Sequence, residues 1–99
     1  MKVRFTQRDL ADLSGIGSWI ASDSPKAARK VVSRLRNRVR SLSEFPERHP
    51  VISSRESFSI RRCVEGGYLI FYTIMDRDVV ILRILHAARD PEAAGFGDL

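Results

Sequence analysis

Few side chains in this sequence can move a proton near neutral pH: the chain has two histidines and one cysteine. His86 follows the apolar run from Val79 to Leu85 and is the strongest acid–base candidate, because imidazole changes charge within the physiological range. Its plain alternative is a residue that ends a strand and bonds a nearby backbone group. His49 stands between Arg48 and Pro50 in a polar stretch and reads as a solvated loop residue. Nothing in the spacing pairs it with His86, and no Cys/His clusters have zinc-site spacing, so no metal and no cofactor are expected. Cys63 has no neighbouring base in sequence and reads as a small buried side chain, not a nucleophile.

The remaining chemistry belongs to arginine. Fourteen of the seventeen Lys+Arg residues are Arg, the type suited to planar, bidentate contacts with phosphate or carboxylate. Arg61 and Arg62 are adjacent in a strand-like stretch, so they point to opposite faces. The outward one is available to an acidic partner, and the other to a carboxylate such as Glu65 or to the sheet edge. Arg83 interrupts an apolar strand, where a charge costs free energy unless paired or solvated. A structural ion pair and a functional contact are both open for it. The segment Lys26 to Arg40 carries Lys26, Arg29, Lys30, Arg34, Arg36, Arg38 and Arg40 and no acid. That basic face is either a solvated helix surface or one that steers an acidic protein or DNA, with strong salt dependence. No aromatic residue is interleaved with it to stack the bases of single-stranded RNA. Phe58, Tyr68, Phe71 and Tyr72 read as core or cross-strand pairs.

The elements that must position these residues follow from patterning. Lys2 to Phe5 alternates as a short strand, and Thr6 with Asp9 signals a helix start. Leu10, Leu13, Ile16 and Ile20 then share one helical face, with Trp19 beside it. Gly15 and Gly17 each weaken that helix by roughly 1 kcal/mol relative to Ala, so packing must hold it or it kinks. Ser24-Pro25 restarts a second helix, expected to run to about Glu44, with Ala28, Val31, Val32, Leu35, Val39 and Leu42 as its stripe. The short connection makes the two an antiparallel hairpin. Phe45-Pro46 through Ser57 reads as a surface loop. Three strands are expected over Phe58–Val64, Tyr68–Met75 and Val79–Leu85, joined by Glu65-Gly66-Gly67 and Asp76-Arg77-Asp78 into an antiparallel meander. The order β-α-α-β-β-β predicts a two-layer α+β domain over residues 1–89. Residues 90–99 carry three acids and no base and are expected to form an acidic flexible tail.

Composition bounds the partners. Ninety-nine residues with 43% hydrophobic content suffice for one core. The formal charge of +5 implies an anionic partner without naming it. A lone cysteine cannot close an intrachain disulfide, the start Met-Lys-Val-Arg-Phe lacks the apolar core of a signal peptide, and no apolar stretch approaches the ~20 residues of a membrane span. A cytoplasmic protein without a membrane role is expected.

Several strings stand in a fixed order: Phe5-Thr6 with Asp9-Leu10 and Asp12-Leu13, then Ser24-Pro25-Lys26-Ala27-Ala28, Leu42-Ser43-Glu44-Phe45-Pro46, and Ile60-Arg61-Arg62. Tyr68-Leu69-Ile70-Phe71-Tyr72 and the run Val80 to Asp90 complete the set, which covers nearly the whole chain. Taken together they resemble the RelE/ParE toxin superfamily and its ParE-type branch. The resemblance implies a type II toxin, encoded beside an acidic ParD-like antitoxin whose amphipathic segment wraps it in a hetero-oligomer. ParE-like members poison DNA gyrase, whereas RelE-like members cleave mRNA on the ribosome. RNA cleavage by a 2′-hydroxyl needs a base, positive charge on the phosphate and an acid for the leaving oxygen. Arg61, Arg62, Arg83 and His86 fall in the regions that RelE-like enzymes use. Yet Ala87 stands where some of those enzymes carry tyrosine, and the second meander strand has no lysine. The expectation is therefore a gyrase inhibitor without catalytic residues, with a hydrophobic groove between helices and sheet for the antitoxin. Arg34, Arg38, Arg61, Arg62, Arg83, His86 and Arg89 are its candidate contacts with antitoxin or target. An mRNA interferase acting with ribosome and mRNA is the alternative, and an inactive member kept for antitoxin binding is the third reading.

Overall fold

Thr6 and Ser24 start the two long helices. The Thr6 hydroxyl accepts from the Asp9 backbone N–H and the Asp9 carboxylate accepts from the Thr6 N–H, a reciprocal capping box. Ser24 accepts from the Ala27 N–H, with Pro25 at the first helical position. The computed structural model describes residues 1–54 and 56–95. In chain order they form β1 (Lys2–Arg4), α1 (Gln7–Ala21), α2 (Pro25–Ser41), a 3₁₀ turn (Pro46–Arg48), β2 (Val51–Ser54), β3 (Ser59–Glu65), β4 (Tyr68–Met75), β5 (Asp78–His86) and α3 (Glu92–Gly95). None of the described helices is long and apolar enough to cross a membrane.

The expected α+β architecture and meander are present. The five-stranded sheet has the order β1-β5-β4-β3-β2, with β1 parallel to β5 and the other pairs antiparallel. Two elements differ from the sequence expectation. The loop expected from Phe45 through Ser57 contains the edge strand β2, whose Val-Ile-Ser-Ser is too short and polar to carry a strand pattern alone and is held by pairing with β3. Helix α2 ends at Ser41 with Leu42 as its cap, earlier than Glu44, because the N–H groups of Leu42, Ser43 and Glu44 bond three residues back, to the carbonyls of Val39, Arg40 and Ser41.

One face of the sheet packs on the helices. Leu13 and Ile16 from α1, Leu35, Val39 and Leu42 from the α2 region, and Cys63, Ile70, Tyr72, Val79, Ile81 and Ile84 from the sheet form the main core. Fully burying each large aliphatic side chain contributes roughly 1.5–3 kcal/mol, enough to offset the two glycines of α1, which stays unbroken. Gly17 faces Val32, where a Cβ would sit 3.4 Å from Cγ2, so the helices meet closely there. Leu10, expected in the apolar face, is instead 46% exposed. On the opposite face Ile60, Phe71, Leu85 and Ala93 form a smaller cluster. Ala93 brings the first part of the acidic C-terminal segment onto the sheet; residues 96–99 lie outside the described residues.

Register along β5 is interrupted once. Tyr72 pairs with Ile81 but Phe71 pairs with Arg83, leaving Leu82 as an extra residue in β5. Strict alternation from Val79 and Ile81 would send Arg83 into the helix face. The bulge turns it to the side of Phe71 and gives the helix face to Ile84.

Asp9 carries a cost of its own. It is fully buried, its Oδ2 has no hydrogen-bond partner among the described residues, and burial pushes its pKa up to about 6 despite the backbone N–H bonds of the capping box. The folded state thus holds a proton that the unfolded chain releases near pH 4, so the contribution of Asp9 to stability is greatest below that value. It falls as pH rises from about 4 to about 6, by on the order of 1–3 kcal/mol. Asp9→Asn, which keeps an acceptor for the Thr6 N–H, should flatten this slope and raise the urea midpoint at pH 7.5. An unchanged pH profile would show that Asp9 does not set it.

Candidate functional site

Strand β1 covers only the first part of β5, its pairing ending at Arg4 opposite Val80. Beyond Val80 no described strand pairs with β5 on that side, and its edge N–H groups need other acceptors. Two carboxylates supply them. Asp12 of α1 accepts from the Ile84 N–H at 2.9 Å, and Asp90, in the turn after β5, accepts from the His86 N–H at 2.7 Å.

Asp12 also takes both prongs of Arg83. Nε lies 2.8 Å from Oδ2 and Nη2 3.0 Å from Oδ1, with the two side chains 12% and 14% exposed. Glu92 of α3 adds a looser contact at 3.8 Å. These acids raise the Arg83 pKa, the hydrogen bond to Asp12 being the largest cause. Of the two readings open for Arg83, the structure contains the ion pair. Asp12 lies 71 residues away from it in sequence, and nothing in its local context marks it as the partner.

The end of β5 is closed by its own turn. His86 Nδ1 accepts from the Arg89 N–H at 2.9 Å, which leaves Nε2 to carry the proton of the neutral ring. The imidazole stands edge-on to Tyr68 across the strand pair, with ring centroids 5.0 Å apart. The Arg89 guanidinium lies over the Trp19 ring at 4.6 Å, and Trp19 is 62% exposed. Beside them runs a groove lined by Ile16, Trp19, Ile84 and Leu85 and by the charged Asp12, Arg83, Arg89 and Asp90.

The other candidates lie elsewhere. Arg61 projects on the helix face and donates through Nη1 to the carbonyls of Glu47 and His49, at 2.9 and 2.7 Å. With the Tyr72 hydroxyl donating to the Pro46 carbonyl, it staples the 3₁₀ turn to the sheet. His49 is correspondingly not the solvated residue expected. Its Nε2 is buried without a hydrogen-bond partner among the described residues, its ring faces Tyr72, and burial lowers its pKa. Arg62 lies on the opposite face, beside Phe71. Arg38 donates from Nε to the buried Cys63 sulfur at 3.2 Å and sits 3.6 Å from Glu65, while Arg34 is exposed.

The four residues of the RNA-cleavage pattern are therefore divided. Arg61 and His86 share the helix face, but Arg61 pairs opposite Tyr72 and His86 opposite Tyr68, roughly 13 Å apart along β4. Arg62 and Arg83 flank Phe71 on the other face.

Comparison with known proteins agrees with this architecture. Residues 3–91 match the family model described as the ParE toxin of the type II toxin–antitoxin system parDE. The chain belongs to the ParE toxin family. It is 39% identical over 89 residues to the toxin RelE2 of Caulobacter vibrioides, covering 89% of this chain and 97% of that protein. A solved structure of the chromosomal ParDE system from P. aeruginosa superposes with a TM-score of 0.71 at 19% identity, over 87% of this chain and 95% of that one. That likeness is one of fold. The ParE family assignment makes this chain a toxin of the type II class, and the groove beside β5 and the arginines around it are the features to interpret.

Removing one partner of a nearly buried ion pair strands the other. Asp12→Leu should destabilise the fold by roughly 2–4 kcal/mol, and the double variant Asp12→Leu/Arg83→Met by much less than the sum of the two single changes, Asp12→Leu and Arg83→Met. Urea unfolding of the three variants checks this; additive losses would mean that the pair is not coupled.

Proposed function

We propose that this chain is a type II toxin that is held inactive by an acidic ParD-like antitoxin and arrests its host by binding DNA gyrase in the cytoplasm, without covalent chemistry of its own. The observation that carries this reading is the division of Arg61, Arg62, Arg83 and His86 between two faces of the sheet. A phosphate cannot meet all four at once, and three of them already have protein partners: Arg61 two carbonyls, Arg83 Asp12, and His86 Nδ1 the Arg89 N–H.

The groove along α1 suits an antitoxin segment that is both apolar and acidic. Trp19, 62% exposed, offers the apolar surface, and Arg89 over its ring forms no ion pair with a described residue, whereas Ile16, Ile84 and Leu85 form the buried floor. Because the N–H groups of Ile84 and His86 are bonded to Asp12 and Asp90, the groove presents side chains and not free backbone donors. It therefore favours a helix laid in a groove over an added strand. The P. aeruginosa neighbour belongs to a ParDE system, and an assembly of toxin with antitoxin is proposed for this chain in the same way.

A ribosome-dependent mRNA interferase is the second reading. The name of the Caulobacter relative, RelE2, points that way, and His86 keeps Nε2 free of any hydrogen bond among the described residues beside the ring of Tyr68. Purified toxin added to gyrase and relaxed plasmid separates the two. Loss of supercoiling, with mRNA intact in a translation extract, is the expected result. Normal supercoiling at large toxin excess, with mRNA cut on ribosomes and cutting abolished by His86→Ala, would transfer the assignment to the enzyme.

A further inference from the structure

Lys26, Lys30, Arg34 and Arg38 recur every four residues on α2, and Arg29, Ser33, Asn37 and Ser41 form the adjoining row. With Glu65 at one end, these two rows line a shallow open trough. Four helical residues advance the axis by about 6 Å, so the first row holds cations at a regular step over about 18 Å. Lys26, Arg29, Lys30 and Arg34 are exposed, and none of them forms an ion pair with a described residue. Only Arg38 is held, by Cys63 and Glu65.

We propose that α2 binds duplex DNA along its phosphate backbone through this double row. Regularly spaced cations displace condensed counterions from a phosphate strand, and the short hydroxyls and amide of Ser33, Asn37 and Ser41 are of the type that bonds phosphate oxygens between them. No apolar residue type lines the trough, so an amphipathic protein segment would meet only the aliphatic stems of the Lys and Arg side chains there, in contrast to the groove beside β5. No aromatic residue lines it either, which removes the platform that single strands use. The contact needs only this chain and DNA, and so goes beyond the gyrase reading.

The test is fluorescence anisotropy of a labelled mixed-sequence DNA duplex with the purified full-length toxin, titrated across salt. With about four phosphates neutralised, affinity should fall roughly a hundredfold between about 50 and 200 mM salt. The double variant Lys30→Ala/Arg34→Ala, exposed positions at which alanine favours helix, should bind about tenfold more weakly at low salt and lower the salt slope by about two. Lys2→Ala/Arg8→Ala removes the same charge elsewhere and should leave both nearly unchanged. Circular dichroism of each variant guards against a fold effect. Absence of binding at low salt, equal losses in the two double variants, tighter binding to single-stranded RNA, or displacement by polyglutamate as readily as by unlabelled duplex would each overturn the proposal.

Discussion

An open strand edge sets the terms for this fold. β1 is three residues long and leaves the second half of β5 without a neighbour on that side among the described residues. Bare N–H groups there would be costly inside the protein and adhesive outside it. Asp12 and Asp90 satisfy the N–H groups of Ile84 and His86 from opposite directions, one from the helix layer and one from the turn that follows β5. Asp12 does more, because the oxygen that accepts from Ile84 also accepts from Arg83. A single carboxylate thereby fixes the depth of α1 on the sheet, the path of the Arg83 side chain and, through the contact of Arg83 with Glu92, the approach of α3. An ion pair so little exposed gains little net free energy over an apolar pair of the same shape. Its value is in defining one arrangement: α1 cannot slide along β5 without stranding both a charge and a backbone donor.

The bulge at Leu82 explains why the arginines end where they do. Period-2 alternation would place Ile81, Arg83 and Leu85 on one face, forcing a guanidinium into the main core. One inserted residue lets Ile81 and Ile84 both face the helices and moves Arg83 to the edge, where Asp12 can reach it. The same device separates Arg83 from Arg61. Chemistry that would need both on one phosphate is lost through a backbone irregularity, with every residue type still present.

This contrast also marks what the sequence conveys. Capping at Thr6 and Ser24, the apolar stripe of α2 and the apolar run Tyr68–Met75 are local signals with physical causes within a few residues, and they appear in the fold where the pattern puts them. β2 is not legible because its stabilisation comes from β3, and Leu10 is not legible as exposed because a helical wheel does not show how far the neighbouring layer extends. For the candidate site, adjacency alone puts Arg61 and Arg62 on opposite faces. The partners of Arg61, Arg83 and His49 are carbonyls, a carboxylate and an aromatic ring brought together by loop closure and register, which no spacing rule contains. The cluster Arg38, Cys63 and Glu65 is likewise tertiary, joining α2 to β3.

The charge pattern of α2 carries an energetic argument of its own. Lys26, Lys30, Arg34 and Arg38 place like charges at successive i,i+4 positions, each pair destabilising a helix by roughly 0.2–0.5 kcal/mol. The helix has no acid in its first turn, and only Arg38 and Arg40 in its last turn favour its dipole against the repulsion. It persists because Leu35 and Val39 are buried in the core shared with the sheet, and a core of that size tolerates a loss of about 1 kcal/mol. An acid in place of Ser33 would relieve the repulsion by pairing with Arg29 one turn before it, and would at once weaken the field along the trough. The two demands, helix stability and a continuous positive row, are opposed. In this sequence the second has prevailed: no exposed position from Lys26 to Arg40 carries an acid, and stability is supplied from the buried side.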